Sequence, residues 1–375
     1  MEPRCPNRGR AVPRCPCRHG CIGWRGARRR LLPGCGDDAG RGHPGPARPW
    51  PNLCHARNGR GDCCRRQRWK GLRHSRCREE KSDPGAAGVK LTNGLALQRR
   101  IRRLDPDSDA YEIARLSLVT LNGSTRLTYA LFTVAFMKQV AVPEMARILY
   151  RRGRGDIVRD TIVRNDDTLV FFGQLLDHGP DSDVGSAWIT RLNEIHAHFP
   201  IRNADSLYTL ATLALDPHAI TSALGRSPFS PRELDAHWRF WRRVAERQNI
   251  DDIPRSREEL TRWAAQYEVS QYESSVAGRE ITSALIDAFN DRVLPRCIRP
   301  LGADIISAIS TPRLRAVHGL PTPRPVVRWA VTALVWLYVT STPLRLVPTT
   351  RSFAADFGDT RHGSRTPDQV GYRAG

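Results

Sequence analysis

Residues 156–199 read DIVRDTIVRNDDTLVFFGQLLDHGPDSDVGSAWITRLNEIHAHF, and their spacing decides the fold. Ile157, Thr161, Arg164, Thr168, Phe171, Phe172 and Leu175 recur at steps of three and four, so they share one face of a helix expected over 156–178. Gly179-Pro180 ends it, because proline cannot continue a helix and glycine accommodates the turn out of one. A second helix is expected over 182–198, with Trp188, Leu192, Ile195, His196 and Phe199 on its apolar face. So short a connection makes the two helices antiparallel neighbours.

Both faces carry a polar anomaly. Arg164 and Thr168 stand one turn apart among apolar residues. A guanidinium turned toward a core costs on the order of several kcal/mol unless something polar or anionic meets it. Spacing alone favours an internal ion pair with a neighbouring Asp or Glu; the alternative is an Arg/Thr pair lining a ligand pocket. His196 lies two turns after Trp188 on the apolar side, whereas His198, about 200° further round, faces the other way. A lone histidine on an apolar face is more often a hydrogen-bonded core residue than a ligand. With the Arg/Thr pair on the preceding helix, antiparallel packing could also bring Arg164, Thr168 and His196 around one cavity.

Outward from this pair the punctuation stays helical. Asp107 and Ser108 open a helix running to Leu121, stopped by Asn122-Gly123. The next carries Leu127, Leu131, Val134 and Phe136 and ends at Pro143, which opens a short one stopped by Gly153. Ser230-Pro231-Arg232-Glu233 and Ser256-Arg257-Glu258-Glu259 are capping boxes opening two more, and another around Ile281, Leu285 and Phe289 ends at Pro295. No two-residue alternation marks a strand. The expectation is one all-α domain over 93–345, of about ten helices, followed by an irregular polar tail over 346–375. Trp329–Leu344 is uncharged for 16 residues, short of the roughly 20 that span a bilayer; a core helix is expected there, with a membrane-surface helix second.

Composition divides the chain at the same place. Its 375 residues hold 59 Lys+Arg against 38 Asp+Glu, a formal charge of +21. Residues 1–90 carry 22 basic and 7 acidic residues, a balance of +15, so the remainder has an ordinary +6. Nine of the ten cysteines lie at or before Cys77, which excludes a disulfide framework from the large segment. Residues 1–92 are expected to be disordered and rich in Arg, Gly, Pro and Cys. A misassigned start codon is an alternative source of such text. No cysteine pair there has the spacing of a zinc finger or ribbon, and with aromatic interleaving limited to Trp24, Trp50 and Trp69, specific nucleic-acid binding through this arm is not expected. No secretory signal precedes the domain, and a cytoplasmic protein, at most membrane-associated, is expected.

Several chemistries are excluded by missing motifs. The paired Glu-x-x-His of di-iron bundles, His-Glu-x-x-His, the Walker loop and the nucleophile elbow of hydrolases do not occur. One candidate axial histidine with a distal polar pair in an all-α domain points to haem, where a single proximal histidine suffices.

The order of Arg164-Asn165-Asp166-Asp167-Thr168, His178-Gly179-Pro180-Asp181-Ser182, Ile195-His196-x-x-Phe199, Ile201-x-Asn203-x-Asp205-x-Leu207-Tyr208-Thr209-Leu210 and Asn249-Ile250-x-Asp252-Ile253-Pro254 resembles the MpaB-type oxygenases and the catalytic domain of rubber oxygenases. The resemblance covers about residues 105–345, including Leu320-Pro321-x-Pro323. It implies an all-α, globin-like fold holding a b-type haem, with His196 as the proximal iron ligand and Arg164 and Thr168 in the distal pocket. It also implies oxidative cleavage of C=C bonds in an isoprenoid-like, apolar substrate by O2. Rubber oxygenases carry a lysine just before the distal threonine, where this chain has Asp167, so lysine coordination and rubber itself do not carry over. The runner-up is a non-catalytic helical protein that binds haem or lipid. Peripheral membrane contact is an expectation; an anchor like that of the fungal members is not.

Overall fold

The structure, a computed structural model, describes residues 90–371, which lie within one compact unit. The expectations for the basic arm, its disorder, cysteines and start, fall outside the described residues except at the last few positions. Helices form where the capping residues stand. After strand β1 (Leu91–Asn93), Asn93 accepts the Ala96 N–H at the start of α1 (Gly94–Arg103). Helix α2 (Ala110–Ala114) runs into a π-helical turn, Arg115–Leu121, that ends at Asn122. Ser124 caps α3 (Thr125–Val140), and Pro143 opens α4 (Pro143–Tyr150).

The stretch expected to be one helix over 156–178 is two, α5 (Asp156–Arg159) and α6 (Thr161–His178). Asp160 leaves helical geometry (φ −135°, ψ 52°) and turns the chain between them. Ser182 then caps α7 (Asp183–Ala197), followed by α8 (Asn203–Ala223). The Ser230/Glu233 capping box opens α9 (Pro231–Arg247), and Ser256 caps α10 (Arg257–Gln271). Beyond α11 (Val276–Val293) come the shorter α12 (Gly302–Ala308) and α13 (Pro312–His318), then α14 (Pro325–Thr340). Strand β2 (Leu346–Pro348), α15 (Phe353–Phe357) and α16 (Asp359–His362) complete the order.

The all-α expectation holds, with one addition that no alternation announced. β1 and β2 pair antiparallel, Thr92 opposite Val347, joining the two ends of the helical domain. The core is built around α3, which from Tyr129 to Met137 is apolar almost all round and buried or half-buried at every position. Tyr129, Phe132, Phe136, Met137 and Val140 of α3 meet Leu207 and Leu210 of α8 and Ile281, Leu285 and Phe289 of α11 in one cluster. Edge-on contact between Phe171 and Trp188, 5.0 Å between centroids, sets α6 against α7.

Two expectations are corrected. The segment after Arg345 is not irregular. It brings α15 across α6, where Gly173 leaves room: a Cβ there would stand 2.7 Å from the Ala354 nitrogen. Asp177 of α6 caps α15 by accepting from the Phe353 and Ala354 N–H groups (both 2.9 Å) and the Ser352 hydroxyl (2.8 Å). A five-residue helix held by a carboxylate so distant in sequence leaves no periodic signal. The uncharged run over 329–344 is not a core helix either. Only Val327, Val335 and Val339 of α14 are buried, while Trp329 is 73% exposed. Helical periodicity without a polar face does not say how many sides are covered.

Candidate functional site

α6 and α7 bring Arg164, Thr168 and His196 to the wall of one cavity of about 330 Å³. Its other walls are mostly apolar, with Phe136, Leu149, Phe171, Phe172, Leu192, Ile195, Phe199 and Leu210 among them, and its volume falls in the range of small-molecule and cofactor sites. Ile157 and Phe171 border it despite the break at Asp160, whereas Thr161 and Leu175, expected on the same face, do not. The cap at Ser182 and the packing of Trp188 fix the phase of α7 and thereby the side that His196 takes.

Arg164 has no carboxylate within ion-pair distance among the described residues, so the internal ion pair favoured by spacing is not formed. Its guanidinium donates instead to the Thr168 hydroxyl, which in turn donates to the Arg164 carbonyl at 3.0 Å. Burial holds the Arg164 pKa below its ordinary value, against the fields of Asp167 and Asp156. Asp156, Asp160 and Asp167 also border the cavity, yet none of them pairs directly with Arg164, so its guanidinium keeps donor capacity for an anionic group in the cavity.

His196 is the second side chain on the cavity wall with such spare capacity. Burial, assisted by the positive charge of Arg164, pushes its pKa down to about 4, so the imidazole is uncharged at neutral pH. No hydrogen bond to its ring is found among the described residues. An uncharged imidazole with a free nitrogen lone pair is what a transition-metal ion requires. His198 is exposed, and its Nδ1 is 2.7 Å from the Glu194 carbonyl, on the other side of the helix as its spacing predicts.

The depressed pKa of His196 has a sign that can be measured. Its folded pKa, about 4, lies below the ordinary 6.5, so between these values the unfolded chain binds the extra proton. The stability this contributes is complete above pH 6.5 and is lost as pH falls toward 4. In cofactor-free protein, His196→Leu is expected to flatten the acid loss of stability by up to about 1.4 kcal/mol per pH unit. Urea midpoints of both proteins across this interval check it; equal slopes would mean that His196 takes up its proton in the folded state.

The sequence reading did not find what ties α6 to the later parts of the chain, although one of the carboxylates involved, Asp167, also borders the cavity. Asp166, fully buried, pairs with Arg292 of α11 at 2.8 Å and lies 3.0 Å from His362 Nε2. Asp167 pairs with Arg365 at 2.7 Å and accepts the Gly371 N–H at 3.2 Å, and Gly371 itself borders the cavity. These partners stand more than a hundred residues away, where no spacing rule reaches. Asp167 is thus engaged with the C-terminal segment. Among the described residues, no three His, Cys, Asp or Glu side chains gather as a metal-holding group, and no helix is long and apolar enough to cross a membrane.

Residues 121–340 match the family model described as "ER-bound oxygenase mpaB/B'/Rubber oxygenase, catalytic domain". The chain is similar to ER-bound oxygenase mpaB of Penicillium roqueforti, 25% identical over 201 residues, 48% of this chain and 66% of that protein. It is also similar to ER-bound oxygenase mpaB' of Penicillium brevicompactum, 24% identical over 211 residues, 51% of this chain and 49% of that protein. The chain therefore spans about half to two-thirds of the length of these relatives. A solved structure of latex clearing protein in the closed state aligns with a TM-score of 0.45 and 17% identity, over 69% of this chain and 77% of that one.

Proposed function

The chain belongs to the family of MpaB-type oxygenases and rubber oxygenase catalytic domains, and from that premise we propose that it is a haem-dependent oxygenase using O2 on an apolar, isoprenoid-like substrate. One observation carries the reading: His196, uncharged and with no hydrogen bond to its ring among the described residues, and Arg164, with no direct carboxylate partner among them, border the same mostly apolar cavity. The donor set fits b-type haem. Haem iron needs one axial side chain from the protein, so a lone histidine suffices where a bare ion would need a group of ligands. The aromatic and aliphatic walls suit an apolar macrocycle, and Arg164 suits an acidic substituent.

When bound, the haem supplies the redox chemistry of O2. The chain's residues do the rest. His196 offers a ring nitrogen to the iron. Arg164 would set its guanidinium against negative charge in the cavity, such as an acidic substituent of the bound group. Thr168, held by both the side chain and the carbonyl of Arg164, orients that guanidinium and offers a neutral hydroxyl beside it. Phe171, Phe172, Leu192 and Leu210 line the space for a hydrocarbon chain and keep water from it.

Arg164→Ala is expected to fold, keep its haem and lose turnover by about a hundredfold, the effect of removing one charged stabilising donor. Thr168→Ala follows with a smaller loss, since a neutral donor contributes less than a charged one. Melting temperature, Soret absorbance and O2 consumption with an isoprenoid test substrate separate the cases. Normal turnover by Arg164→Ala would remove it from the chemistry.

A further inference from the structure

Of the 14 large hydrophobic side chains that are exposed among the described residues, eight lie on one region of the surface. Five belong to α14: Val326, Trp329, Leu334, Trp336 and Leu337, between 50% and 73% exposed. With Ala330 and Ala333 they occupy one side of the helix, and the buried Val327, Val335 and Val339 occupy the other. The exposed side holds no charged residue beyond the first turn. Leu344 (85%) and Leu346 (69%) follow the helix directly, and strand pairing brings Leu91 (59%) beside them. Exposed apolar area on this scale marks a contact surface.

The charges beside it are positive. At the start of α14, Arg324 is paired with Asp304, while the exposed Arg328 has no ion pair among the described residues. At the other end, exposed Arg226 donates to the Thr340 hydroxyl at 3.5 Å. Arg345 lies 3.8 Å over the Tyr338 ring. Lys90, exposed, directly precedes Leu91 at the edge of the patch. This charge repels a second copy meeting the same face and attracts an anionic surface.

We propose that α14 and the adjoining strand pair seat the protein on an anionic lipid bilayer. The helix lies in the plane of the headgroups with Trp329 and Trp336 at the boundary, and its three buried valines tie it to the domain. Its 16 residues, about 24 Å, and its firm packing on one side forbid spanning and suit lying flat.

The test uses the full chain and sedimentation with vesicles of phosphatidylcholine alone or containing about 30 mol % phosphatidylglycerol. Binding is expected to the anionic vesicles and to weaken as salt rises from about 0.1 M to about 0.5 M. The variant W329S/W336S/L337S is expected to lower the partition coefficient by about tenfold or more, with its melting temperature unchanged because the side chains are exposed. Haem content and O2 consumption on a dispersed substrate are expected to stay as in wild type, so failure here is distinct from failure of the oxygenase reading. Undiminished binding by the variant, or none by wild type, overturns the proposal. So does a wild-type dimer in light scattering that the variant turns into a monomer, which would assign the face to a second copy.

Discussion

His196→Ala is expected to leave purification with most of its Soret absorbance gone, while His198→Ala retains it. The two histidines are two residues apart in one helix and differ only in the side they take. His196 borders the cavity, uncharged and without a hydrogen bond, whereas His198 is exposed and its Nδ1 lies against the Glu194 carbonyl. If His196 holds haem iron as proposed, its removal would take away the protein's ligand to the iron, and the loss should exceed about tenfold in haem retained per folded protein. The fold should survive, because His196 contributes no hydrogen bond to it. Haem content by pyridine haemochrome assay, set against melting temperature, checks both halves. Equal loading of His196→Ala and wild type would remove His196 as the ligand.

Arg292→Ala is expected to destabilise the domain by about 3–5 kcal/mol, a fall in melting temperature on the order of 10 °C. Asp166 is fully buried in the middle of α6 and Arg292 nearly so, at 2.8 Å. Without the guanidinium, His362 alone faces a carboxylate that has no access to water. Burial already raises the pKa of Asp166, so the variant relieves itself only by taking up a proton. Arg292→Met combined with Asp166→Asn is expected to recover much of the loss, since the cost lies in the orphaned charge rather than the missing bond. Arg164→Ala makes the contrast. It removes a half-buried cation that has no direct carboxylate partner among the described residues, so its melting temperature should change little. Urea denaturation of the three proteins decides. If Arg164→Ala melts as early as Arg292→Ala, the cavity arginine is structural.

The two aspartates of Asn165-Asp166-Asp167-Thr168 show the limit of reading a face from spacing. Arg164 and Thr168 reach the cavity as their four-residue interval requires. Asp166 and Asp167 between them look like ordinary helix-surface carboxylates, yet each is engaged by a residue from the last third of the chain. The missing ion pair of Arg164 has the same origin. Spacing shows that a cation faces inward but not which elements arrive opposite it.

What the sequence determined by itself is local. Ser124, Ser182, Ser230 and Ser256 satisfy helix N-terminal N–H groups from within three residues, and Pro143 and Gly179 terminate helices through their own backbone limits. The antiparallel α6–α7 pair, and with it the meeting of Arg164, Thr168 and His196, followed from those stops and a short connection. The tertiary structure alone decided the break at Asp160, the docking of α15 over Gly173, and the exposure of α14. Each depends on shape and charge brought from distant parts of the chain, because a close approach needs both partners and burial needs something to cover the surface. A helix apolar almost all round satisfies the same local rules in α3 and in α14. Only the neighbours that pack on α3, and leave one side of α14 bare, distinguish the core from the surface.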